Sequence, residues 1–77
     1  MTDTFSDLNI GDSAKVLGLQ GLTTSYRKKL MSLGMTPGTH FKLERKAPLG
    51  DPIEISVRGF RLSLRKAEVG SMIVEKL

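Results

Sequence analysis

The chain has 77 residues, no cysteine and a formal net charge of +4. That length suits one domain, 1–77, with a modest core, and no disulfide or thiolate can staple it, hold a metal or attack a substrate. No apolar run approaches the roughly 20 residues of a membrane span, and the first residues lack the basic-then-apolar pattern of a secretory signal. The expectation is therefore a soluble protein of the cytoplasm.

Residues 1–13 carry Asp3, Asp7 and Asp12 and no base, whereas residues 14–46 carry seven bases against one acid, Glu44. A basic face of this kind favours an acidic protein surface, a phosphate backbone or an anionic membrane. Asn9-Ile10-Gly11-Asp12 reads as a tight turn. Residues 13–19 alternate, with Ala14 and Val16 on one side and Lys15 on the other, which predicts a strand.

Thr23, Thr24 and Ser25 supply hydroxyls that can cap a helix start. Leu22, Tyr26, Leu30 and Leu33 follow at spacings that form one helical stripe, and Arg27, Lys28 and Lys29 leave that stripe for water. The spacing predicts a helix over 25–33, ended by Gly34. Thr36-Pro37-Gly38-Thr39 has Pro and Gly at the centre of a type II turn.

From residue 40 the period changes to two. Phe41, Leu43, Arg45 and Ala47 alternate with His40, Lys42, Glu44 and Lys46. After the loop Pro48-Leu49-Gly50-Asp51-Pro52, Ile53, Ile55 and Val57 alternate with Glu54, Ser56 and Arg58; beyond Gly59, Phe60, Leu62 and Leu64 alternate with Arg61, Ser63 and Arg65. These are three half-buried antiparallel strands. Residues 66–70 form one helical turn, and residues 72–77 a last strand whose inward face the pattern leaves open. The fold class is mainly β: a small barrel of about five strands, because only a strongly bent sheet buries so many short apolar faces at once.

Little here points to catalysis. His40 is the one histidine and lies on a polar strand face, so a solvated side chain is the simpler reading. No Gly-x-Ser-x-Gly elbow surrounds a serine, and Asp51 and Glu54 read as turn chemistry and solvated charge. Zinc needs several Cys or His, and Gly18-Leu19-Gln20-Gly21 is no phosphate loop. The chain reads as a binding protein rather than an enzyme, with no cofactor and no metal site. A small basic barrel that binds nucleic acid is the alternative. Its stacking platform is missing, since Tyr26, Phe41 and Phe60 fall on apolar faces and only Phe5 is left for the surface.

Two apolar residues stand outside every periodic pattern: Met35, after Leu33-Gly34, and Leu49, between Pro48 and Gly50. Together they would form an exposed apolar patch, the mark of an interface. Leu33, Gly34, Met35, Pro37 and Leu49 are the candidate protein-binding residues, with Arg27, Lys28 and Lys29 as steering charges.

These residues carry a resemblance. Residues 26–38, ending Leu33-Gly34-Met35-Thr36-Pro37-Gly38, resemble the helix-to-turn signature of the FeoA family, and Ala47-Pro48-Leu49-Gly50-Asp51-Pro52 resembles its second signature. Leu62-Ser63-Leu64-Arg65-Lys66, Asn9-Ile10-Gly11 and Ala14-Lys15-Val16 are similar to further family segments, so the likeness covers nearly the whole chain. The resemblance implies an SH3-like barrel. It also implies an accessory role in ferrous iron uptake, by docking on the cytoplasmic GTP-binding part of the FeoB membrane transporter.

Overall fold

The structure is a computed structural model that describes residues 3–77. Six antiparallel strands form one sheet: β1 (Asp3–Thr4), β2 (Ser13–Gly18), β3 (His40–Lys46), β4 (Ile53–Val57), β5 (Phe60–Leu64) and β6 (Ile73–Lys76). The order across the sheet is β1-β6-β2-β3-β4-β5. Helix α1 (Thr24–Ser32) joins β2 to β3, and the one-turn α2 (Lys66–Val69) joins β5 to β6.

The sheet is coiled, with extents of 29 × 24 × 23 Å. Phe5 follows one edge strand and Phe41 lies near the centre of the sheet, yet their rings stack with centroids 5.9 Å apart. The inward residues predicted from period two are buried: Ala14, Val16, Phe41, Leu43, Ile53, Ile55, Val57 and Leu64. The last strand turns Val74 inward, and Met72, just before it, is buried as well.

Four expectations change. The sheet has six strands rather than about five, because the two-residue β1 pairs with β6 through Asp3↔Val74 and Thr4↔Ile73; two residues are too short to show a period. Tyr26 and Phe41 are buried as expected, but the assignments of Phe5 and Phe60 reverse. Phe5 is buried, because the Asp7 carboxylate accepts from the Thr4 N–H at 3.0 Å and fixes a 3-10 turn, Phe5–Asp7, over the core. Phe60 is 42% exposed, because it opens the edge strand β5, which has no strand beyond it. Leu62, on the same edge, is only partly buried against the core. Finally, β3 does not alternate to its end. A bulge between Leu43↔Ile55 and Arg45↔Glu54 leaves Glu44 over and puts Arg45 outside, where its Nε lies 3.7 Å from Glu54.

Candidate functional site

Helix α1 begins where the hydroxyls predict. Thr23 is the N-cap, and its Oγ1 accepts from the Tyr26 N–H at 3.2 Å. Leu22, Tyr26 and Leu30 are buried along the stripe and Leu33 is half-buried. Lys28 and Lys29 are exposed and Arg27 is half-buried. Arg27 donates to Thr24 Oγ1 at 3.3 Å, and the Lys29 ammonium lies 5.7 Å from the Tyr26 ring centroid. Among the described residues, none of the three meets a carboxylate.

The helix closes with paired reverse bonds: Gly34 N–H to Met31 O at 3.1 Å and Met35 N–H to Leu30 O at 2.9 Å. That is a Schellman motif, with Gly34 in the left-handed region at φ +93°. The motif folds the residue after the glycine back onto the helix, so Met35 meets Leu30 and both are fully buried. The expectation that Met35 is an exposed docking anchor is therefore wrong: it is core. The predicted type II turn follows, with Thr39 N–H bonded to Thr36 O at 3.0 Å and Gly38 at φ +94°. Pro37 stands exposed at its tip.

Leu49 is the opposite case, 98% exposed. Its loop is held by Gly50 N–H to Ala47 O at 2.7 Å and by Ala47 N–H to Pro52 O at 3.0 Å. Asp51 Oδ1 accepts from the Lys66 N–H at 2.9 Å, which ties the loop to the start of α2. This loop precedes β4, whereas the loop after α1 lies beside the turn that follows β4. The five residues of β4 therefore separate the two, about 16 Å at the usual rise. Leu49 and residues 33–38 do not form one patch.

Sequence reasoning missed what surrounds the second loop. Thr39, buried and polar, donates from Oγ1 to Gly34 O at 3.1 Å and accepts from Arg58 Nη2 at 3.5 Å. Arg58 is itself left-handed, at φ 50°, in the two-residue β4–β5 turn with Gly59 at φ 84°. A two-residue hairpin of type I′ demands positive φ at both central positions, which is the signal that marks residue 58 as special. Among the described residues, no three His, Cys, Asp or Glu side chains converge where a metal ion could sit. Among the described residues, no helix is long and apolar enough to cross a membrane.

The FeoA domain model matches residues 4–76. The chain belongs to the FeoA domain family. The solution structure of FeoA from Chlorobium tepidum superposes with a TM-score of 0.90 at 37% identity, covering 97% of this chain and 70% of that one. FeoA from Stenotrophomonas maltophilia, solved as a zinc complex and described as a prokaryotic SH3 domain protein, matches with a TM-score of 0.80 at 29% identity, over 95% of this chain and 89% of that one. The six-stranded sheet is thus the SH3-like barrel of FeoA proteins. A fusion of Fe(2+) transport protein A with Fe(2+) transporter FeoB from Porphyromonas gingivalis is 29% identical over 70 residues. That alignment takes 91% of this chain but spans only 8% of the relative's length. The family is thus associated with ferrous iron transport.

Proposed function

We propose that this FeoA-family chain is an accessory of ferrous iron uptake that docks, on the cytoplasmic side, on the GTP-binding part of a FeoB-like transporter. The observation that carries this reading is the Porphyromonas fusion, in which a stretch 29% identical to this chain belongs to the same polypeptide as a transporter. A natural fusion holds two partners at high effective concentration, which suits modules that work in contact. The basic face of α1 (Arg27, Lys28, Lys29) would steer the encounter, and Leu33, Gly34 and Pro37 at its end would meet the partner. Leu49, at the far end of β4, would make a separate contact. The chain contributes binding and no chemistry of its own: it neither hydrolyses GTP nor holds Fe²⁺ tightly. Nucleic-acid binding has less support, since among the described residues Phe60 is the one exposed Phe, Tyr or Trp, and with the His40 imidazole it makes no extended stacking platform.

A pull-down with the detergent-solubilised transporter, with and without GTP, tests the reading. The wild-type chain should be retained. Reversing Arg27, Lys28 and Lys29 to Glu should slow association and weaken its salt dependence. No retention under either condition would remove the docking reading. A stoichiometric Fe²⁺ site found by titration calorimetry on the isolated chain would remove the claim that it holds no metal.

A further inference from the structure

A groove of about 410 Å³ runs beside the start of β3, the end of β4 and Leu77. Phe41 and Val57 form its nearly covered floor, Leu77 is its exposed apolar residue, and His40, Lys42 and Arg58 stand around it. Its lining contains no Asp or Glu. Elsewhere on this sheet Lys15 is matched with Glu75, Arg45 and Arg61 with Glu54, and Lys76 with Asp12, while Lys46 reaches the Leu8 carbonyl at 3.4 Å. Among the described residues, the three basic groups of the groove meet no carboxylate within ion-pair distance. The acid beside them, Glu44, is engaged at one end: its Oε2 accepts from the Ser56 hydroxyl at 2.6 Å. That bond, with Lys42 adding, holds its carboxyl below the usual range.

Arg58 is the informative residue. Its left-handed φ of 50° is a position that Asn, Asp or Gly fills without strain, whereas a long side chain there is uncommon. Turn stability does not explain an arginine at that position. Its weak bond to Thr39, at 3.5 Å, does not explain it either. What the strained turn achieves is to hold a guanidinium that meets no carboxylate side chain at the mouth of a groove lined by no Asp or Glu.

We propose that this groove receives an extended acidic segment of a partner protein, with carboxylates against Arg58 and Lys42 and one apolar side chain against Leu77. A carboxylate takes the planar guanidinium fork two hydrogen bonds at a time. Bases of a nucleic acid would need a row of rings to stack on, and the groove offers the His40 imidazole alone, since Phe41 is only 3% exposed. The assignment of that partner as the transporter rests on the docking reading above. The groove is continuous with the loop after α1, because Arg58 reaches both Gly34 and Thr39.

The test uses the ¹⁵N-labelled full chain and four probes: a synthetic peptide alternating Asp or Glu with Leu, the same peptide with Lys for every acid, oligouridine RNA, and the cytoplasmic part of the FeoB-like transporter. The acidic peptide should shift the amide signals of His40, Lys42, Val57 and Gly59 and leave those of α1 and Leu49 in place. The lysine peptide should shift none of them. The double variant Lys42→Glu, Arg58→Glu, folded by circular dichroism, should bind the acidic peptide at least tenfold more weakly. Arg58→Asn should bind it severalfold more weakly while melting at the same temperature or higher, a combination that a purely structural role for Arg58 does not give. Shifts outside the groove, undiminished binding by Arg58→Asn, or tighter binding of oligouridine than of the acidic peptide would each overturn the proposal. A transporter fragment that binds the double variant as well as the wild type would also overturn it while leaving docking intact. A groove that takes the acidic peptide while the fragment binds neither protein would support the groove and remove the docking reading alone.

Discussion

Met35 and Leu49 begin as equals and end as opposites. Each is an apolar residue outside the strand and helix periods, framed by Gly and Pro, yet one is fully buried and the other 98% exposed. The difference lies in how each loop closes its backbone bonds. The Gly34 turn sends the Met35 N–H back to Leu30 O, so the methionine must lie on the helix it has just left. The Leu49 loop closes from Ala47 to Gly50 and from Ala47 to Pro52, across the base of the loop, and its tip points at nothing. An apolar residue off the period thus takes its fate from the turn that carries it.

The largest effect that could break this comparison is a charge at each site. Met35→Asp should leave the chain unfolded, because an unpaired buried carboxylate costs more than a domain of this size can lose, about 4–12 kcal/mol by the per-residue rule. Met35→Ala should lose about 2–5 kcal/mol. Leu49→Asp and Leu49→Ala should stay within about 0.5 kcal/mol of wild type. Urea titrations followed by circular dichroism decide it, and a Leu49→Asp midpoint displaced as far as that of Met35→Ala would abolish the distinction.

The two phenylalanines repeat the lesson at the sheet's edges. Phe5→Ala should lose about 3–5 kcal/mol, since the ring is buried and stacked on Phe41. Phe60→Ala should lose less than half of that, because the ring is 42% exposed on an edge strand. Thermal melts of the two variants read the order directly, and a reversed order would mean that β5 is covered in solution.

Most of the barrel was legible because inward residues repeat every second position. Ile53, Ile55 and Val57, buried on β4, and the capped helix with Leu22, Tyr26 and Leu30 inside need only local rules. What was illegible depends on partners far along the chain. The β1 pairing with β6 spans almost the whole sequence, and with it goes the burial of Phe5. The bulge at Glu44 is set by Glu54 and Ser56 on the neighbouring strand. Of the site residues, the basic helix face was legible from its spacing. The grouping of His40 and Lys42 with Arg58 was not, because it requires the register of β3 on β4. The burial of Met35 was within reach of local rules, since an apolar residue after a C-terminal helix glycine usually packs back on the last turn.

Gly34→Ala sharpens the contrast with a smaller change. The added Cβ has space, the Arg58 Cδ being 3.9 Å away, so only the left-handed backbone at φ +93° opposes it. The expected loss is about 1–2 kcal/mol. Hydrogen exchange should show that loss first at the amide of Met35, which depends on the reversal, and not at Gly50 in the other loop. Equal loss of protection at both amides would mean that the two loops open together.

The smallest effect is acid sensitivity, and it separates the α1–β3 loop from the N-terminal turns. Asp7 and Asp12 titrate below the ordinary aspartate value of 3.8, Asp7 because its carboxylate accepts the Thr4 N–H and Asp12 because it accepts the Asn9 N–H, with Lys76 helping both. A carboxyl whose folded value is depressed contributes its stability fully above the unfolded value and loses it as the pH falls through the folded one. Asp7 is exposed and Asp12 lies half-buried at the surface, so the effect is modest and shrinks with salt. The loop after α1 is closed differently: its bonds run among Leu30 O, Gly34 O, Thr36, Thr39 and Arg58, with no carboxylate among them. Lowering the pH from 6 to 3 should therefore expose the Asn9 amide to exchange while the Met35 amide keeps its protection relative to global unfolding. Asp12→Asn should remove the pH dependence at Asn9 and leave Met35 unchanged. If the Met35 amide instead loses protection in step with Asn9, the two ends of the barrel are coupled through the core, and the independence of the helix-end loop fails.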